Sequence, residues 1–245
     1  MEATYTAAYS QLYREHWWWR VREQILLGKV HDVLAGSRDA RILDIGCGAG
    51  LFFDTLAAFG HVEGIESDPM AVAQSERWRG RIHLGELATF RSDGGYDLIL
   101  MLDVLEHTQQ PELLLRQSVG LLVPGGAMVI TVPAFDWLWT SHDDLNHHVK
   151  RYTAAEMARL VRAAGLDILE QRYLFQSLIL PKLYVRAIEA LSASSAAIPR
   201  IPPRLLNLGL AAWFRCEHAI AGWLPFGTSV MVISRRAKPM GACDR

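Results

Sequence analysis

The sequence predicts an α/β fold in which helices cover both faces of a mostly parallel sheet. Three observations carry that reading. From Ala40 onward, short apolar runs alternate with helical patterns, the signature of strands joined through crossover helices. The first run ends in three alternating glycines, Gly46, Gly48 and Gly50, directly before a helical pattern. The segment 175–226, too long for a loop and helical in composition, separates the last strand from the rest.

In chain order, strands are expected at 41–45, 61–66, 81–85, 96–102 and 127–132, with helices at 51–59, 70–78 and 111–121 between them. Each strand is a short β-rich or apolar run bounded by turn residues. The second helix follows Ser67-Asp68-Pro69, a cap with proline in the first turn. Pro124-Gly125-Gly126 ends the third helix and launches the fifth strand. A polar and aromatic segment, 134–152, leads to a helix at 153–164 with Thr153 and Glu156 as its capping box. Gly165 stops that helix, a sixth strand follows at 166–173, and the last is expected at 229–235.

The 245 residues are 51% hydrophobic and 21% charged, which excludes a disordered chain. A net charge of −1 argues against a nucleic-acid partner, whose phosphates call for a basic surface. Cys47, Cys216 and Cys243 are odd in number and far apart, so neither a disulfide framework nor a CxxC zinc site is expected. The polar, acid-bearing first residues do not read as a signal peptide, and no apolar run is long enough to span a bilayer. A cytoplasmic setting is the expectation.

The run Ile42-Leu43-Asp44-Ile45-Gly46-Cys47-Gly48-Ala49-Gly50 carries the most chemistry. Glycines there let the backbone turn tightly and approach a ligand, and the following helix offers free N–H groups. Glu66 ends the next strand, about 20 residues on, where a carboxylate can accept both ribose hydroxyls of a nucleotide-like cofactor. A dinucleotide turn needs Gly or Ala where Leu51 stands, so hydride chemistry is disfavoured.

These residues resemble the first motif of class I S-adenosylmethionine-dependent methyltransferases, in a subgroup close to the type 11 and type 23 groupings. Tyr96-Asp97-Leu98-Ile99-Leu100, Asp103-Val104-Leu105-Glu106-His107 and Leu122-Val123-Pro124-Gly125-Gly126 fit the same family. The resemblance implies a Rossmann-like, seven-stranded sheet with an antiparallel last strand, an N-terminal helical arm and a helical insertion. It implies S-adenosylmethionine as cofactor. Asp44, Gly46, Cys47, Gly48 and Gly50 would form the turn around its amino-acid end, Glu66 and Ser67 would meet the ribose, and Glu86 and Leu87 the adenine. Met101, Leu102 and Asp103 would floor the methionine end.

Methyl transfer from a sulfonium is an in-line displacement, to which positioning and, for an oxygen or nitrogen acceptor, a base contribute. Candidates for the catalytic groups are His107, His148 and Tyr152. The segment His148-Val149-Lys150-Arg151-Tyr152 resembles the H-x-R-R-Y element of the subgroup, with Lys150 in place of arginine. Arg151 would anchor an anionic acceptor or cap the next helix, and His148 and Tyr152 equally suit packing of the loop onto the sheet. Asp103-x-x-Glu106-His107 resembles the divalent-ion element of some quinone-pathway O-methyltransferases. Metal-free relatives carry it too, so no metal is expected, and a metal-assisted quinone-type enzyme stands as the alternative.

At the N-terminus, His16-Trp17-Trp18-Trp19-Arg20-Val21-Arg22 resembles the aromatic leader of the subgroup, which implies Trp18 and Arg22 beside the cofactor, with Arg20 a second candidate for its carboxylate. A purely structural staple is the other reading. Segment 175–226 holds five basic residues against two acidic ones, a net +3, which leaves −4 for the rest of the chain. With Ser192–Pro203 as its hinge, it reads as a lid over an apolar acceptor, a helix pair resting on a membrane or a homodimer contact.

The expected organisation is an arm at 1–39, a cofactor domain at 40–174 plus 227–236, the insertion at 175–226 and a tail at 237–245. The expected activity is methylation of a small-molecule or lipid-like acceptor, at oxygen first, with carbon and nitrogen as the alternatives. A catalytically silent adaptor acting through the insertion is the alternative from another class, and the intact Asp44, glycine turn and Glu66 argue against it.

Overall fold

A computed structural model describes residues 3–191 and 199–238. Much of the expected hinge therefore lies outside the described residues, as does the tail beyond Lys238, Cys243 included. Seven strands form one sheet in the order β3-β2-β1-β4-β5-β7-β6. They are β1 (Ala40–Ile45), β2 (Gly60–Glu66), β3 (Ile82–Leu84), β4 (Tyr96–Leu102), β5 (Leu122–Pro133), β6 (Leu166–Leu174) and β7 (Ser229–Arg236). The first five run parallel and β7 is antiparallel to both its neighbours, as the fold class requires. The order reverses direction at β1 and β4, so their carboxyl ends open a crevice where such sheets bind ligands.

The strands form because Ile42, Leu43, Leu98, Ile99, Leu100, Val129 and Ile130 are buried on both sides of the sheet, the continuous apolar pattern of a doubly covered parallel sheet. β5 starts earlier than expected. Leu122 already pairs with Tyr96, and the ladder then slips by a bulge before Leu98 meets Ala127. Gly125 at φ 83° makes that bulge, and a Cβ at Gly126 would lie 2.9 Å from the Tyr96 carbonyl.

Two helices are shorter than their patterns. α3 is confined to Phe53–Leu56 and α4 to Pro69–Ala73, capped by Asp68, whose side chain accepts from the Met70 amide. Beyond α4 the chain unwinds because Trp78 turns inward, edge-on to Phe53 at 5.8 Å, with its indole donating to Asp54 at 3.0 Å. α5 (Pro111–Leu121) and α7 (Ala154–Ala163) match expectation, the latter with its Thr153–Glu156 capping box.

The arm comprises α1 (Ala3–Glu15) and α2 (Trp17–Leu34). The tryptophan triplet forms the first turn of α2, with the His16 side chain accepting from the Trp18 amide. Between β5 and α7, the polar segment forms a 3-10 turn and a short helix, α6 (Ser141–Leu145). The insertion contributes α8 (Ile179–Leu191) and α9 (Arg204–Ala221). α9 is joined to the arm: Trp17 stacks on Phe214 at 4.6 Å, and Asn207 accepts from the Trp17 amide while donating to the Glu15 carbonyl. One side chain thus spans the break between α1 and α2.

Candidate active site

The site begins where β1 ends. Gly46, Gly48 and Gly50 all have positive φ, at 73°, 57° and 69°, which a side chain resists. At Gly46 space forbids one as well, since a Cβ would lie 2.6 Å from Val104 Cγ2. Glu66 holds the turn from the next strand. Its two carboxylate oxygens accept from the Gly48 and Asp68 amides, each at 2.8 Å. Ser67 is exposed beside it, Glu86 is exposed beyond β3 and Leu87 is buried.

Asp44 lies buried under the turn. Burial and then the charge of Glu66 raise its pKa to about 7, with Arg22 opposing. Burial, followed by the charges of Asp44 and Glu66, likewise raises the Cys47 thiol, so Cys47 is a lining group and not a nucleophile.

Arg22 reaches from α2 to the ends of β4 and β5. It pairs with Asp103 at 2.8 Å and donates to the Thr131 hydroxyl, which in turn donates to Asp103 at 2.9 Å. These contacts hold Asp103 at φ 59°, a costly conformation for a residue with a side chain, of the kind that collects at functional sites. Met101 is buried and Leu102 half-buried at the end of the same strand.

Over the turn lies the arm. A cavity of about 60 Å³ is lined by Tyr9, Tyr13, Trp19, Arg22, Asp44, Gly46 and Leu102 among others. That is well below the ~300 Å³ of ordinary ligand clefts, so α1 stands closed over the turn. A larger space of about 350 Å³ lies on the outer side of Tyr13, between Arg20, Glu23 and Asp54. Of the triplet, Trp19 lines the cavity, whereas the expected Trp18 turns to Phe175 at 5.6 Å with Arg22 over its ring. Trp18 is therefore a contact between arm and insertion, and it reaches the turn through Arg22 and through Trp19, against which it packs edge-on at 5.1 Å.

From Asp103 the chain runs past Val104, against Gly46, to Glu106 and His107. The segment after α6 folds onto it: the Val149 amide donates to the Glu106 carbonyl at 2.7 Å and the Tyr152 hydroxyl to the Leu105 carbonyl at 2.9 Å. These bonds bring the His148 ring within 4.9 Å of His107. They also correct the expectation for Tyr152, which is buried with its hydroxyl committed to the backbone and acts as a strut. His148 Nδ1 lies 2.8 Å from Asp143 Oδ1.

Asp143 is fully buried. It also accepts two bonds from Arg151, both at 2.8 Å, and one from the Thr140 amide. Burial pushes its pKa up, but the bonds from His148 and then Arg151 outweigh that and hold the carboxyl well below its ordinary value. Arg151 is thus spent internally, neither free for an anionic acceptor nor a helix cap. Glu106 is buried with both carboxylate oxygens lacking a hydrogen-bond partner, and burial, then Asp103, raise its pKa well above the usual range. Among the described residues, Glu106, His107 and His148 each offer a ligand atom, all within 4.8 Å of one another.

Residues 18–171 match the type 23 methyltransferase family model, described as a methyltransferase domain. The chain belongs to that family and is an S-adenosylmethionine-dependent methyltransferase. A ubiquinone biosynthesis O-methyltransferase of Cupriavidus pinatubonensis is 27% identical over 188 residues, which cover 64% of this chain and 75% of that protein. A solved structure named as a candidate sarcosine dimethylglycine methyltransferase of Galdieria sulphuraria superposes with TM-score 0.60 at 19% identity, covering 88% of this chain and 85% of that one. The N-methyltransferase NodS of Bradyrhizobium japonicum, in complex with S-adenosyl-L-homocysteine, gives 0.55 at 16% identity, covering 92% and 90%. The last two similarities speak for the fold.

The residues present fit the cofactor. A Cβ at Gly48 would meet nothing within 4 Å, so backbone is open to a ligand there, and the carboxylates of Asp44 and Glu66 beside the turn are groups that would suit the cofactor's ammonium and ribose hydroxyls. If Asp44 meets the cofactor's ammonium, S-adenosylmethionine binding should tighten about tenfold per pH unit up to about 7 and then level off. Asp44→Asn should flatten that profile, and calorimetric titration from pH 5 to 8 checks it. For folding the sign is opposite: a carboxyl raised in the native state loses stability as pH rises from about 4 to 7.

Proposed function

We propose that the enzyme methylates an oxygen of a small, ring-bearing, lipid-like acceptor, with His148 removing the acceptor's proton. The observation that carries this is the His148–Asp143 pair, 2.8 Å apart beside His107, one short segment from the glycine turn. An Nδ1–H donated to Asp143 leaves Nε2 as the basic nitrogen, the usual consequence of such a pairing. S-adenosylmethionine supplies an activated methyl group; the chain's residues hold the acceptor in line and take up its proton. A relative named for O-methylation in ubiquinone biosynthesis supports oxygen as the acceptor atom and a lipid-like ring as the acceptor class. The reading sets the enzyme in the cytoplasm, with no nucleic-acid partner, in keeping with its net charge of −1.

A second reading is favoured by Glu106. A buried carboxylate with neither oxygen bonded, facing two imidazoles, suits a divalent cation. Glu106, His107 and His148 would hold it, and Asp143 would orient His148 in the manner of an outer-shell carboxylate. A bound cation would lower the pKa of an acceptor hydroxyl, and His148 would then be a ligand and not a base.

Transfer of labelled methyl to a prenylated catechol separates the two. With His148 as base, a chelator leaves turnover unchanged, and His148→Ala lowers it by about 10²–10⁴ while cofactor affinity stays. With a metal, the chelator stops turnover, magnesium restores it, and Glu106→Gln removes the restoration. Failure to label the catechol while cofactor still binds would overturn the proposed acceptor class.

A further inference from the structure

We propose that the outward faces of α8 and α9 form a docking surface for an anionic lipid bilayer. Both helices turn their acids toward the protein and present large apolar side chains to solvent, where a surface helix ordinarily shows polar residues. On α8, Lys182 and Glu189, two turns apart, face the protein: Lys182 Nζ lies 3.5 Å from Thr140 Oγ1, and Glu189 accepts from the Ser141 hydroxyl at 2.6 Å and its amide at 3.1 Å. On the opposite side, Leu180, Tyr184 and Leu191 face solvent at helical spacing. On α9, Ala211, Phe214 and Glu217 are buried, while Leu205, Trp213, Ile220 and Trp223, just past its end, are 60–85% exposed. Exposed apolar faces of this kind mark contact sites.

Charge decides what covers them. The two acids of the segment, Glu189 and Glu217, point inward and are satisfied, Glu217 by the amide and hydroxyl of Ser177. Arg200, Arg204 and Arg215 remain exposed, Arg215 with its Nε donating to Gln24 of α2 at 2.6 Å. Arg204 and Arg215 stand three turns apart, along one edge of the apolar face of α9. Docked on this face, a second copy would offer the arginines an apolar surface whose two acids are turned inward, whereas anionic headgroups neutralise them. Indole and phenol rings beside arginines are the composition of helices that lie in a bilayer interface, and among the described residues no helix is long and apolar enough to cross one. The inference does not depend on the proposed reaction. It does give α8 a place in it, because Lys182 and Glu189 tie that helix to the loop that begins the Asp143 and His148 segment.

The test is co-sedimentation of the full chain with vesicles of phosphatidylcholine mixed with phosphatidylglycerol, against phosphatidylcholine alone, with tryptophan fluorescence as a second readout. Binding is expected to the mixed vesicles, with a blue shift, and to weaken with salt. Arg200→Gln and Arg204→Gln should each weaken it about fivefold, and Leu205→Ser with Trp223→Ser by at least about tenfold. All four side chains are exposed, so melting temperature and S-adenosylmethionine affinity should stay at wild-type values, which keeps the result separate from the enzyme reading. No binding by the folded wild-type chain would overturn the proposal. So would salt-insensitive dimerisation abolished by Trp223→Ser, with no vesicle binding.

Discussion

Asp143→Ala is expected to destabilise the fold by about 3–5 kcal/mol, the range for leaving one partner of a buried ion pair uncompensated. Arg151 is as buried as the carboxylate it pairs with, and its other bond, to the Ala134 carbonyl at 3.0 Å, does not neutralise it. The substitution also removes the cap on the Thr140 amide and the anchor of His148. Urea unfolding measures the loss. Asp143→Leu combined with Arg151→Met should recover most of it, because the cost lies in the stranded charge more than in the missing attraction. A carboxyl held below its ordinary pKa contributes stability above about pH 4 that is lost as pH falls through the native value, so the acid limb of the stability profile should flatten in the variant. Asp143→Asn, which keeps the shape, should retain S-adenosylmethionine binding yet lose turnover if His148 must be oriented. A wild-type unfolding curve for Asp143→Ala would show that the cluster carries no such weight.

The sheet was legible because its signal is local: apolar runs of strand length, glycines where φ must be positive, and Asp68-Pro69 at a helix start each report on their own neighbourhood. Helix ends were less so. α4 has the pattern to continue to Trp78, yet it ends at Ala73, and Trp78 is instead held against Phe53 and Asp54. The phase of the tryptophan triplet was illegible for a similar reason. Three adjacent rings point three ways around a helix, and which one meets the glycine turn depends on Phe214 and Phe175, far along the chain. Tyr9 and Tyr13, one turn apart, mark one face of a helix, but that this face closes over the glycine turn is set by packing. Asp143 sat in plain view within a polar run, but that it is the residue joining Arg151, His148 and Thr140 follows from burial, on which a lone sequence is silent.

Glu66→Ala is expected to weaken S-adenosylmethionine binding by about a hundredfold or more. Two charge-assisted bonds hold the glycine turn and the start of α4 to this carboxylate, each worth about 1.5–3 kcal/mol, and the proposed ribose contacts come in addition. Glu66→Gln keeps an acceptor for one amide at most and should fall between the variant and wild type. Calorimetric titration checks both, and unchanged affinity in Glu66→Ala would remove this residue from the cofactor site. The same experiment tests a coupling that no single distance reveals. Next to burial, the charge of Glu66 is the main cause of the raised Asp44 pKa. In Glu66→Ala the midpoint of the affinity profile should therefore move below 7, and more of Asp44 should be ionised at neutral pH. Weaker binding with a downward-shifted midpoint identifies two acids acting on one ligand, whereas weaker binding with the midpoint fixed near 7 separates Glu66 from Asp44 and confines its role to the turn.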